Sequence, residues 1–318
     1  MLAPSWLMGQ PAGSPMLVGA ALLALPIPPR IPAWMRWPPR CDIVARHLGA
    51  TKRMFARFLG AIGRAALALL GGLGDLSITG ARSIQTSARS VLPGARFRGR
   101  SVFEQMYLMG ASAFPIAGLI AFMMGLILAF QSATQLQRMG AERYIAALVG
   151  VAITRELGPV ITAIVVAGRS GSAIAAEISS MKIQEEIDAL QVMGFNPLSY
   201  LVAPRLIAML VTLPLLVALA DVCGILGGLV TAVFALHQPA QFYLDTTREA
   251  LQMRDFVSGL IKAGIFGVII VTVGAWCGLR VTGGPEGVGR ATTRAVVLGI
   301  FLVIVADLIF TGFFYNFA

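Results

Sequence analysis

The chain has 318 residues, of which 57% are hydrophobic and only 13% charged, with a mean hydropathy of +0.80. That is about half the charge content of an ordinary soluble domain, so a polytopic membrane protein is predicted. The formal charge of +10 does not mark a nucleic-acid surface: residues 1–100 carry 13 Lys/Arg against Asp42 and Asp75, while the other 218 residues are nearly balanced. Basic excess ahead of the first apolar stretch reads as anchoring to an anionic inner leaflet.

Residues 1–50 are rich in Pro and Trp and lack periodicity, so a disordered extension is expected, with Met35 and Met54 as alternative starts. Residues 52–73 place Phe55, Phe58, Leu59, Ile62, Ala66, Leu69, Leu70 and Leu73 on one helical face, with Lys52, Arg53, Arg57 and Arg64 away from it. This pattern predicts an interfacial amphipathic helix on the inner leaflet. An interfacial region is assigned to 51–107 and a transmembrane domain to 108–317.

About 20 apolar residues cross a bilayer core, and five stretches reach that length: Leu108 to Phe130, Tyr144 to Gly168, Leu206 to Leu236, Phe256 to Leu279 and Ala295 to Phe317. The predicted fold class is therefore an all-α integral membrane protein with five transmembrane helices. The N-terminal region and the loops after spans 2 and 4 hold 19 Lys/Arg, against 4 in the loops after spans 1 and 3. The positive-inside rule thus puts the N-terminus in the cytosol and the C-terminus outside.

In the first span Ala117, Ala121, Gly125 and Ala129 recur every four residues, a spacing that lets helices approach closely within the chain or across a dimer. The second span carries Arg155 and Glu156 at its middle, where each charge costs roughly 2.5 to 3.5 kcal/mol on insertion scales. Pro159 cannot donate to the carbonyl of Arg155, so a kink or opening is expected there. Two readings stand: a site for a phosphate-bearing lipid head group, or an intramembrane salt bridge that locks helices together.

The polar block from Arg169 to Arg205 follows. Ile174, Ile178 and Met181, then Ile183, Ile187 and Leu190, keep helical spacing from Ser172 to Met193, while Glu177, Lys182, Glu185, Glu186 and Asp188 supply charge. Gly194 and Asn196-Pro197 then end the helix. The pattern suits either a cytosolic docking helix or a surface-lying one. Further along, Asp221 and Asp307 are single acids within spans, read as pairing with neighbouring helices or capping broken turns, with proton coupling as the lesser alternative, and Lys262 is read as a snorkelling residue near the outer end of span 4.

Catalytic and metal chemistry find little support. Cys41, Cys223 and Cys277 lack metal-ligand spacing, and there is no P-loop motif, so no cofactor is expected in this chain and ATP would be handled by a partner. Gly168-Arg169-Ser170-Gly171 matches a rhomboid-type G-x-S-G, yet the two histidines, His47 and His237, fall outside the spans and give Ser170 no base.

The run from Arg155 to Arg205, RELGPVITAIVVAGRSGSAIAAEISSMKIQEEIDALQVMGFNPLSYLVAPR, together with GVGRATTRAVV at Gly287 to Val297, resembles the MlaE/YrbE permease family of ABC-type lipid transporters. The resemblance covers about residues 52–317. It implies a homodimeric inner-membrane permease of five spans that moves phospholipid or a related lipid. A cytosolic ATPase of the MlaF type would bind a coupling helix between spans 2 and 3, with a periplasmic MCE-domain protein of the MlaD type outside and a STAS-domain protein beside the ATPase. It also implies a lipid cavity lined by Arg155, Glu156, Leu136 and Met139, and it favours the head-group reading of the charged pair.

Overall fold

The computed structural model describes residues 67, 71, 72, 74–88 and 99–316, and the segment from Leu69 onward forms one compact unit. The expected extension and most of the interfacial helix lie outside the described residues; Leu67, Gly71 and Gly72 are helical. Described residues are helical or in short turns, with no strand among them.

Eleven helices are labelled here: α1 (74–88), α2 (Gly99–Met106), α3 (Phe114–Leu136), α4 (Ile145–Ala152), α5 (Gly158–Val166), α6 (Ser172–Ile183), α7 (Glu186–Val192), α8 (Ala203–Phe234), α9 (Ala240–Ala250), α10 (Met253–Leu279) and α11 (Pro285–Asn316). Several of these run together through π-helical or 3-10 turns. Five stretches are long and apolar enough to cross a membrane: Gly99–Met139, Glu142–Ile183, Leu198–Phe234, Met253–Leu279 and Pro285–Phe314. They contain or closely overlap the five stretches expected from hydropathy.

The small-residue stripe of α3 packs within the chain. Ala117, Ala121, Gly125 and Ala129 are all buried, and α8 answers with glycines of its own. A Cβ on Gly125 would meet the carbonyl oxygen of Gly224, and one on Gly227 would meet that of Phe122. The two backbones touch, a contact only glycine permits.

Span 2 is a 42-residue helical stretch, Glu142–Ile183. At 1.5 Å per residue this is about 63 Å, twice the hydrocarbon core of about 30 Å, so α6 continues the span beyond the membrane. Its small face packs on α10, with Gly274 close to the Gly171 carbonyl and Gly278 against Ile178.

The single helix expected from Ser172 to Met193 is broken. Glu185 adopts left-handed backbone geometry at φ 60°, separating α6 from α7. On an unbroken helix Ile187 would point about 140° away from Ile174. The elbow instead turns Ile187 into the cluster that holds Ile174, Ile178, Leu206, Met209 and Phe266. Gly194 at φ 81° ends α7 as expected, and the Asn196 side chain accepts from the Leu198 amide at 3.0 Å.

Two helices escape a hydropathy reading. α1 lies against α10, with Gly80 near Thr272 and Asp75 paired to Arg280 at 2.5 Å. α9 closes the opposite end: Tyr243 is fully buried, donates to the Ile225 carbonyl at 3.4 Å, and lies against Gly228. Burial pushes its phenol up to about 12, so it stays neutral at any physiological pH.

A Gly125→Leu substitution should destabilise the fold by about 1–3 kcal/mol, because α3 and α8 must separate to admit the side chain. The Gly264→Ala control, where nothing lies within 4 Å, should hold or raise the apparent melting temperature in detergent.

Candidate functional site

The mid-membrane charges assemble around a π-helical turn, Ile153–Leu157, which carries Arg155 and Glu156. Pro159 has no N–H to give, and the helix accommodates this by inserting a residue: the Gly158 amide donates to the Ile153 carbonyl five residues back. The opening expected at Pro159 is thus a wide turn rather than a sharp break.

α10 approaches this turn through Gly259, whose position leaves no space for a Cβ: it would lie 2.5 Å from the Thr154 carbonyl oxygen and 3.4 Å from Pro159. One helical turn later comes Lys262. This residue does not snorkel. It is 1% exposed, and its Nζ donates to Glu156 Oε2 at 2.6 Å, Asp307 Oδ1 at 2.9 Å and Thr311 Oγ1 at 2.9 Å. Thr311 in turn donates to Glu156 Oε2 at 3.1 Å. All three ammonium protons are therefore used, as an amine removed from water requires.

This network changes the meaning of the Arg155-Glu156 pair. Glu156 is committed to Lys262 and Thr311, and Arg155 Nε reaches only 4.0 Å from Glu156 Oε1. The guanidinium keeps its donors, and its side chain is 34% exposed. One of the two sequence readings, a locking salt bridge, belongs to Lys262 with Glu156 and Asp307 rather than to Arg155.

Asp221 of α8 is 5% exposed and packs on Gly158, where a Cβ would collide with its Oδ1. That oxygen has no hydrogen-bond partner among the described residues. Leu136 joins Ala129, Ala133, Ile145, Val149, Ile153 and Leu157 in one apolar cluster, which brings it to the flank of the π-helical turn. Met139 ends span 1 in a 3-10 turn and is 80% exposed. The site thus gathers Leu136, Arg155, Glu156 and Pro159 and adds Lys262, Asp307 and Thr311, while Met139 is not brought into it. Ser170 is buried at the second π-helical turn of span 2, Ala167–Gly171, and His237 lies beyond the far end of α8.

The docking block divides into two roles. Glu177 pairs with buried Arg205, tying α6 to the start of α8, and Lys182 bridges to Asp188 at 2.7 Å across the elbow. Glu185, Glu186, Val192 and Met193 remain exposed on and around α7, Val192 at 89%. Among the described residues no group of three or more His, Cys, Asp or Glu side chains is arranged to hold a metal.

Residues 102–313 match the family model described as Permease MlaE. The chain belongs to the MlaE permease family. Its relatives include a "Probable ABC transporter permease protein" of Rickettsia typhi, 40% identical over 210 residues, covering 66% of this chain and 81% of that protein. A "Probable ABC transporter permease protein" of Synechocystis is 38% identical over 214 residues, covering 67% and 81%. The chloroplastic protein Trigalactosyldiacylglycerol 1 of Arabidopsis thaliana is 35% identical over 217 residues, covering 68% and 62%. The permease is accordingly an ABC-type, multi-pass membrane subunit.

Replacing Lys262 by Ala would leave Glu156 and Asp307 facing each other without a cation. The expected loss is about 3–5 kcal/mol, lessened by the partial exposure of Glu156, and is read as a lower melting temperature of the permease in detergent. Restoring partial neutrality with the double variant Lys262→Ala/Asp307→Asn should recover part of it.

Proposed function

We propose that this permease, as a homodimer, moves phospholipid or a related glycerolipid between the bacterial inner membrane and a periplasmic MCE-domain protein, driven by a separate MlaF-type ATPase. The observation that carries the reading is the weakly paired guanidinium of Arg155 at mid-membrane, no closer than 4.0 Å to the Glu156 carboxylate. A cation whose neighbouring carboxylate is engaged elsewhere needs an anionic group, and a lipid phosphate brings one together with tails that suit the apolar flank at Leu136. The chloroplast relative is named for a glycerolipid, which supports a lipid as cargo.

Energy would enter through α7. Its exposed acids and Val192 form the surface for the ATPase, while Ile187, 1% exposed, sits in the main apolar cluster. Movement of α7 therefore repacks the core rather than sliding over it. Closure of the ATPases would shift the dimer between a cavity that accepts lipid and one that expels it, a population change that needs different contacts in the two states. A small STAS-domain protein beside the ATPase completes the assembly.

The test is reconstituted permease with its ATPase. Vanadate-sensitive lipid transfer is expected; transfer that stops when a proton gradient is collapsed would favour coupling through Asp221 or Asp307, and fluorophosphonate labelling of Ser170 would favour a hydrolase. Arg155→Ala should lower co-purified phospholipid severalfold and leave ATPase association intact. Glu185→Lys/Glu186→Lys should do the reverse, and unchanged lipid content in the Arg155 variant would overturn the head-group assignment.

A further inference from the structure

The ends of α10 and α11 that meet α6 carry a second concentration of positive charge, away from the mid-membrane turn. Gly278 of α10 packs against Ile178 of α6, so this end lies on the side of α7, the cytosolic side by the distribution of Lys and Arg. A cavity of about 230 Å³ opens there, lined by Trp276, Cys277, Arg280, Arg290 and Arg294 among others.

The Trp276 ring carries a guanidinium at 5.0 Å from Arg280 and another at 5.0 Å from Arg294. The residue is 5% exposed, and its indole N–H has no hydrogen-bond partner among the described residues. The acids nearby are few. Asp75 of α1 takes Arg280 at 2.5 Å, and Glu286 approaches Arg290 at 3.6 Å with both side chains largely exposed. Arg294 has no ion-pair partner among the described residues. Three guanidiniums, one of them answered closely by a carboxylate, leave a local excess of positive charge.

The cavity shares Arg290 and Arg294 with an open groove of about 770 Å³ along α11, where Arg290, Thr293 and Arg294 give way to Val297 and Leu298. Val297, Phe301, Ile304 and Leu308 then continue as an exposed apolar stripe on the same helix. A free anion would use the arginines alone. Arginines that lead directly into an apolar stripe, on a helix that crosses the membrane, match a molecule with an anionic head and a hydrocarbon tail.

We propose that this pocket binds the phosphate of an anionic phospholipid of the inner leaflet, held by Arg290 and Arg294 with the acyl chain along α11. Arg280 is positioned to exchange Asp75 for the lipid phosphate, which would release α1 from α10. The site is separate from Arg155 and works whether or not the same lipid is cargo. The run Gly287 to Val297, which contributed to the family resemblance, gains a role through Arg290 and Arg294.

The test uses the full chain with Trp6, Trp34 and Trp37 changed to Phe, leaving Trp276 as the sole tryptophan, in nanodiscs of phosphatidylcholine with or without phosphatidylglycerol. Phosphatidylglycerol should change Trp276 emission, and phosphatidylglycerol brominated on its acyl chains should quench it. The apparent affinity should fall about fivefold for each of Arg290→Gln and Arg294→Gln, as expected for a cation near an anionic surface. Arg155→Ala should leave this response unchanged, which separates the pocket from the proposed transport site. Gly264→Ala, outside the pocket and with nothing within 4 Å of the added Cβ, should retain the response and serves as the folding control. An equal response to inorganic phosphate without the anionic lipid would overturn the lipid assignment. No response to phosphatidylglycerol, or one that survives loss of both arginines, would overturn the site.

Discussion

The ammonium of Lys262, held between the carboxylates of Glu156 and Asp307 in an apolar interior, is the interaction on which the arrangement depends. It joins spans 2, 4 and 5 at a single point, and each neighbouring feature serves it. Gly259 lets α10 come close enough, the π-helical turn aims Glu156 toward the amine, and Thr311 accepts the remaining proton. A buried pair of this kind contributes little net stability compared with a well-packed apolar core, yet breaking it is costly, so it specifies one register among the helices. Arg155 is released from its neighbour as a consequence and is left to meet something else.

Much of this was legible in the chain. Apolar lengths locate the five spans, the every-fourth small residues of α3 mark the face that meets α8, and the Arg155-Glu156 pair announces a polar centre. Lys262 reads as a snorkelling residue when its depth is counted from Phe256, where hydrophobicity begins, whereas α10 starts at Met253 and Lys262 lies about 14 Å along it. Its partners are 106 and 45 residues away in sequence, and no local pattern joins them. The Ser172 to Met193 periodicity was real on both sides of Glu185, but a one-residue change of hand is invisible to a count of apolar positions. α9 was missed because its polar composition hides two inward residues, Tyr243 and Thr247, spaced one turn apart.

The two ends of the molecule are built differently. At the end bearing α9, a buried phenol and a hydroxyl tie α8 and α4 together, with Tyr243 donating to the Ile225 carbonyl of α8 at 3.4 Å and Thr247 to the Ala146 carbonyl of α4 at 3.5 Å. At the end bearing α7, charged pairs and a strained elbow join α6, α7 and α8, and exposed apolar side chains stand ready for contact. The first arrangement resists motion, and the second invites it. An engine working from the inner surface would act on the end that yields.

The unbroken run from Glu142 to Ile183 has a mechanical consequence. From Arg155 to Ile183 is 28 residue steps, a helical arm of about 42 Å. Tilting such an arm by about 5° would sweep its far charge through about 4 Å, more than the length of a charge-assisted hydrogen bond. Leverage, rather than any large rearrangement, would then suffice to turn a small rocking of the inner subunit into the loading or discharge of an amphiphile.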